Sequence, residues 1–183
     1  MAFVGGFNLN VNASQGNQHP NIVVFFSDDA GYNDFGFTGS DEFKTPHIDQ
    51  LAAEGVTFTD AYVSAAVCGP SRAGLLTGRY QQRFGFIHNN VPGAIAKRAS
   101  IPIDEMGLPL DQKTIADYLE KYGYESSIIG KWHQGHGEKF HPLNRGFDHF
   151  YGFLGGARSY FKTEQVNRQT VLWHNRDTIP EPE

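Results

Sequence analysis

One cysteine in 183 residues excludes an intrachain disulfide, so Cys68 either packs as a small apolar side chain or does chemistry. Basic runs are lacking too. With 15 Lys and Arg against 20 Asp and Glu the formal net charge is −5, which argues against nucleic acid as a partner. An anionic ligand would have to be met by local cations rather than by the global field. No apolar stretch approaches the roughly 20 residues of a membrane-spanning helix, so no membrane span is expected. Internal repeats and low-complexity segments are absent. What is present is a globular composition, 39% hydrophobic and 14% aromatic, in a chain long enough for one domain with a sizeable core.

Residues 1–20 read as an N-terminal tail and 21–183 as the folded part. Met1 to Gly16 has no Lys or Arg, yet Ala2 to Phe7 is apolar and Val11-Asn12-Ala13 resembles a small-residue cleavage site. The tail therefore reads either as the end of a signal peptide or as an ordinary disordered terminus. Ile22 to Phe26 is a continuous apolar run, the pattern of a strand buried on both faces. Thr45-Pro46 opens a helix with Ile48, Leu51 and Ala52 on one face and Gly55 in the C′ position. Val56 to Tyr62 alternates and predicts a short strand. A helix follows Cys68 to about Tyr80, and His88 to Gly107 is a Pro- and Gly-rich loop. Thr114 to Tyr122 predicts a helix with Ile115, Tyr118, Leu119 and Tyr122 on one stripe, ended by Gly123. Glu125 to Trp132 predicts another strand. This alternation gives an α/β class with a largely parallel central sheet flanked by helices. Asp28-Asp29 and Lys131-Trp132-His133 then follow strands, beyond whose carboxyl ends ligands bind in such folds.

The setting of Cys68 argues for chemistry. Gly69 and Pro70 turn the chain and an apolar helical run follows, which puts the sulfur at a helix N-terminus, where free N–H groups favour an anion. Arg72 adds a positive charge one turn on. The cysteine-phosphatase loop, Cys-x5-Arg, fails because the sixth residue after Cys68 is Gly74. Asp28 and Asp29 are neighbours, which a regular strand would point to opposite faces. To share an ion the chain must leave the extended conformation there, with Gly31 helping. Paired carboxylates with no thiolate nearby suit a hard cation, Ca²⁺ or Mg²⁺; the bland alternative is a solvated acidic turn. Lys131 and His133 are two apart and at strand period share one side, with Trp132 on the other.

Cys68-x-Pro70-Ser71-Arg72-x-x-x-Leu76-Thr77-Gly78-Arg79 resembles the signature of the type I sulfatases, of the alkaline-phosphatase superfamily. Asp28-Asp29-x-Gly31 resembles that family's metal-binding opening, and Gly130-Lys131-Trp132-His133-x-Gly135 its Gly-Lys-Trp-His motif. Arg145-Gly146-Phe147-Asp148-x-Phe150-Tyr151-Gly152 matches a fourth stretch. The four occur in order from about Asn21 to Gly156. The resemblance implies the N-terminal part of a sulfatase catalytic domain, a sulfuric ester hydrolase acting on sulfated sugars or aryl sulfate esters. It implies that a formylglycine-generating enzyme converts Cys68 to Cα-formylglycine, whose hydrated form supplies the oxygen nucleophile. It gives Asp28, Asp29 and residue 68 to a divalent cation, Arg72 to the nucleophile, Lys131 to sulfate and formylglycine, and His133 to a diol hydroxyl. It also implies a periplasmic or secreted location.

Some parts of that pattern are missing or altered. Gln134 stands where leucine is common in the family. The resemblance implies a later acidic-amide pair on the metal, a histidine that protonates the leaving oxygen and a second lysine. None has a recognisable counterpart before Glu183, so a fragment with incomplete activity is expected. Arg79 reads as a buttress of the Cys68 helix or a carboxylate partner, and Arg145 to Asp148 as a turn with an internal ion pair. His88, His136, His141, Arg158 and His174 are candidates for substrate contact without a specific signal. Two other functions stay open: a formylglycine-dependent phosphonate or phosphate monoester hydrolase, and a catalytically inactive sulfatase-like remnant.

Overall fold

The computed structural model describes residues 2–5, 19–90, 101–161 and 166–180. The chain divides into two compact units, Met1–Tyr62 and Val63–Glu183. No helix among the described residues is long and apolar enough to cross a membrane.

In the first unit, strand β1 (Ala2–Gly5) pairs antiparallel with β2 (Val23–Phe26), from Ala2 opposite Phe26 to Gly5 opposite Val23. Four residues of the N-terminal segment are thus strand. The apolar run of β2 is not a doubly covered strand. Phe25 is 67% exposed, because β2 belongs to a two-stranded ribbon, not a multi-stranded sheet with layers on both faces. Helix α1 (Pro46–Glu54) starts at Thr45-Pro46 as the sequence predicts, and Ile48, Leu51 and Ala52 are its half-buried positions. Its entry is tied down by side chains. Thr45 Oγ1 accepts from Gly36 N–H and donates to Asp49 Oδ1, each at 2.8 Å, and Asp49 Oδ1 also accepts from Phe37 N–H at 2.8 Å. Gly55 ends α1 without a left-handed turn, at φ −111°. Val56 to Tyr62 is irregular and exposed, not a strand. Alternation alone does not make a strand that lacks a pairing partner.

The second unit carries every buried hydrophobic side chain among the described residues. Helix α2 (Cys68–Thr77) stops at Gly78, where φ is 64°. Helix α3 (Ile115–Leu119) is shorter than the sequence predicts and tightens into a 3₁₀ turn at Glu120–Tyr122, which Gly123 ends at φ 77°. Its N-terminus is a full capping box. Thr114 Oγ1 accepts from Asp117 N–H, and Asp117 Oδ2 accepts from Thr114 N–H. The predicted apolar stripe is only in part its buried face: Ala116 is buried and Leu119 half-buried, while Ile115, Tyr118 and Tyr122 are exposed.

The sheet has the order β3 (Ser127–Lys131), β4 (His149–Phe153), β5 (Leu172–His174), β6 (Asp177–Ile179). It is mixed. β3 and β4 are parallel, whereas β4–β5 and β5–β6 are antiparallel. Pairing runs past the end of β3, since Trp132 N–H donates to Phe153 O at 3.0 Å and His133 N–H to Leu154 O at 3.1 Å. The core gathers Ala116, Trp132, Phe147, Phe150, Leu154 and Trp173, with Leu76, Ile128, Leu143 and Val171 at its margin. Trp132 stands edge-on to Phe147, and its Nε1–H donates to Phe140 O at 2.9 Å, so the buried indole has its one donor satisfied. A second cluster, Ala73, Phe86 and Leu108, backs α2. The α2 helix and the end of β3 are thereby held on rigid supports.

Candidate active site around Cys68

Cys68 is the first residue of α2. Val67 before it is extended and accepts the first helical hydrogen bond, from Ser71 N–H at 3.1 Å. Gly69, Pro70 and Ser71 are buried while Cys68 is half-buried, so the first turn is anchored and the sulfur remains reachable. The free N–H groups expected from the sequence are largely used up, since Gly69 N–H goes to Asn89 Oδ1, Pro70 has none and Ser71 N–H goes to Val67 O. It is the helix dipole that favours an anion at this end.

Arg72 lies one turn along α2, on the same face as Cys68. Its Nη1 donates to Lys131 O at 2.7 Å, joining α2 to the last residue of β3. Lys131 is half-buried and His133 is only 2% exposed. The strand-period argument fails at His133. β3 ends at Lys131, and His133 takes the left-handed conformation with φ 59°. Its imidazole packs against Gly156, where a Cβ would stand 2.6 Å from Cε1 and 2.8 Å from Nε2, so a side chain there would displace the ring.

Gln134 is fully buried and bridges the two motifs. Its Nε2 donates to Gly69 O at 3.0 Å and to His133 O at 2.8 Å. From the other side Asn89 Oδ1 accepts from Gly69 N–H at 2.9 Å, and Asn89 Nδ2 lies 3.6 Å from Cys68 Sγ. No sequence pattern pointed to either amide. Asn89 lies in the loop after Phe86, and nothing in its spacing marks it as a neighbour of Cys68. Gln134 carried only the signal of an unusual residue inside a motif.

The structure thus brings Cys68, Arg72, Lys131 and His133 into one neighbourhood of the second unit. Asp28 and Asp29 lie in the first unit, both exposed. Asp29 leaves the extended conformation, at φ 54°, and it is this aspartate and not Gly31 that takes the left-handed turn. Among the described residues the only other non-glycine residues with positive φ are His133 and Asn175. Two of the three were nominated from the sequence, in keeping with strained backbone at functional positions. Two hard carboxylates suit a hard cation in chemistry but not in number. No group of three or more His, Cys, Asp or Glu able to hold a metal occurs among the described residues.

The remaining candidates differ in their surroundings. Arg145 makes no ion pair within its turn. It is buried and donates to three backbone carbonyls, Leu108, Pro109 and Gln112, while Asp148 accepts from Ser126 N–H. Burial holds its pKa below the ordinary arginine value, against the pull of Asp117 and Asp111. Arg79 donates to the amide oxygen of Gln112 at 2.5 Å, not to a carboxylate. His136 is buried, and that burial pushes its pKa down; Asp104 opposes this and Arg168 adds to it. His141 packs edge-on against Phe150 and Trp173, and burial lowers its pKa too, with Glu138 opposing. His88 and His174 are exposed, His174 edge-on to Tyr151. Arg158 Nε donates to Ser159 O.

A family model described as Sulfatase matches residues 20–178. The chain is 44% identical over 136 residues to an N-acetylgalactosamine-6-sulfatase of Mus musculus, covering 74% of this chain and 26% of that one. It is 41% identical over 133 residues to an arylsulfatase G of Rattus norvegicus, covering 73% and 23%. Among solved structures it resembles Ps i-CgsB in complex with k-i-k-neocarrahexaose, with TM-score 0.71 and 38% identity, over 84% of this chain and 36% of that one. The chain spans about a quarter of the length of these curated relatives.

Proposed function

The chain belongs to the sulfatase family, and we propose that it carries the nucleophile side of a sulfuric ester hydrolase site, acting on sulfated carbohydrate or aryl sulfate esters. The observation that carries this is the Arg72–Lys131 junction beside Cys68 at the start of α2. It ties the Arg72 side chain and the backbone of Lys131 together beside the helix start at Cys68, which supports a reading in which both cations serve a transferring sulfuryl group. In this reading Cys68 is converted to Cα-formylglycine by a formylglycine-generating enzyme, and Arg72 holds the modified side chain. Lys131 contacts the sulfate oxygens. His133, fixed against Gly156, hydrogen-bonds the hydroxyl of residue 68 that stays behind.

Asp28 and Asp29 contribute ligands to a divalent cation, Ca²⁺ or Mg²⁺, both hard ions that take carboxylate oxygen. When bound, such an ion supplies positive charge for the sulfate ester chemistry. A sulfated carbohydrate as substrate is supported by the N-acetylgalactosamine-6-sulfatase relative and by the oligosaccharide-bound neighbour. Such a substrate is met outside the cytoplasm, so a periplasmic or secreted location belongs to the same reading.

The test is mass spectrometry of the Cys68 peptide from a host with the modifying enzyme. Conversion of thiol to aldehyde removes about 18 Da. Modified protein is then offered matched aryl sulfate and aryl phosphate. Unmodified Cys68 would leave a non-catalytic relative, and faster phosphate turnover would make it a phosphomonoester hydrolase.

A further inference from the structure

The Asn89 side chain touches the first two residues of α2 at once. Its Oδ1 accepts from Gly69 N–H at 2.9 Å, which fixes the oxygen end of the amide, since a backbone N–H only donates. The NH₂ end lies 3.6 Å from Cys68 Sγ, and Oδ1 lies 3.8 Å from the same sulfur, within reach of its S–H. The amide can come this close because residue 69 has no side chain: a Cβ there would stand 2.7 Å from Asn89 Oδ1. Gln134 Nε2 holds the carbonyl of the same glycine at 3.0 Å. Both polar groups of Gly69 are thus gripped by side-chain amides, and only Asn89 also reaches residue 68.

We propose that Asn89 is a positioning residue for the reacting side chain at position 68. Its NH₂ group holds the γ-atom there, sulfur or the oxygen that replaces it, in one rotamer. As regards the reaction this rests on the sulfatase reading above; as regards geometry it does not. A γ-atom on a free χ1 divides its time among three staggered wells, and only one of them serves an attack from the helix N-terminus. Losing one neutral hydrogen bond, worth about 1 kcal/mol, lowers the ratio of the held rotamer to each other well about fivefold, so with three wells the population that reacts falls about two- to threefold.

The test uses the 183-residue chain with Cys68 left as the thiol, so it needs no turnover. NMR Hα–Hβ couplings of the sole cysteine report its χ1, and the Gly69 amide proton reports the other end of the Asn89 bridge. Wild type is expected to show one large and one small coupling and a hydrogen-bonded Gly69 amide. N89D keeps an oxygen for Gly69 N–H and removes the donor to residue 68. It should retain the Gly69 signal while the Cys68 couplings average, whereas N89A loses both. Averaged couplings in wild type, or wild-type couplings in N89D, which keeps the oxygen that the S–H can reach, overturn the proposal.

A second arm measures aryl-sulfate turnover by the formylglycine-bearing protein. N89D should lose about two- to threefold in kcat. A rise in KM with kcat intact means charge repulsion alone and also overturns the proposal. If wild type shows the expected couplings but its Cys68 stays a thiol in a host with the modifying enzyme, the sulfatase reading fails and the positioning role stands.

Discussion

Arg72 acts through the shape of its side chain as much as its charge. Its guanidinium spans from the face of α2 that carries Cys68 to the carbonyl of Lys131, which a shorter or rotating cation cannot copy. Arg72→Ala is expected to abolish both the mass loss at residue 68 and aryl-sulfate turnover. Normal turnover by that variant would remove the role given to Arg72. His136 and His141 set a pH dependence. Burial depresses both pKa values in the folded chain, so the unfolded chain binds more protons below about pH 6.5. Their contribution to stability is present above that pH and is lost as pH falls towards the folded values. Denaturant midpoints measured from pH 7.5 down to 5 should fall, and the slope should flatten in a His136→Asn variant. An unchanged slope would assign the acid sensitivity elsewhere.

At the scale of elements, the site depends on the junction between the first turn of α2 and the segment after β3. Gln134 is the clasp. Gln134→Glu would face a buried carboxylate toward the carbonyl oxygens of Gly69 and His133, at an expected cost of about 3 kcal/mol or more. Gln134→Leu removes the same two bonds but also the buried Oε1 that has no hydrogen-bond partner. Its expected cost is within about 1.5 kcal/mol. Urea denaturation of both variants checks the order; equal losses would show that Gln134 acts by volume alone. β3 has a second face that carries little weight. Ile129 is 79% exposed, and Ile129→Thr keeps the β-branch, so its midpoint should move by less than about 0.5 kcal/mol.

At the scale of the whole molecule, the buried apolar side chains among the described residues lie in one unit and the candidate metal ligands Asp28 and Asp29 in the other. Asp28 and Asp29 alone, completed by water, make a poor cage for Ca²⁺, which prefers about 6–8 oxygens. Calorimetric titration of the 183-residue chain with Ca²⁺ should give a Kd weaker than about 10⁻⁴ M, removed by Asp28→Asn with Asp29→Asn. Submicromolar binding would show that further ligands from this chain join them. The same division accounts for the exposed ribbon of β2. Its apolar run has the composition of a covered strand but lacks the layers that would cover it.

Much of the site was legible from residue order alone. The position of Cys68 at a helix start, the helix after Thr45-Pro46 and the turn at Asp28-Asp29 follow from caps, prolines and the steric limits of neighbouring carboxylates, all local in the chain. Local rules failed where a partner far along the chain decides. Val56 to Tyr62 found no strand to pair with, the stripe Ile115-Tyr118-Tyr122 turned outward because Ala116 fits the core, and Arg145 went to three carbonyls instead of its neighbour Asp148. Periodicity also could not see that His133 would leave the strand. Asn89 and Gln134 were beyond its reach for the same reason: they meet Gly69 from twenty and sixty-five residues away. The sequence by itself determined which chemical groups are present and where helices can begin. Tertiary structure alone decided which amides grip the residue beside Cys68, because hydrogen-bond partners are chosen by distance in space.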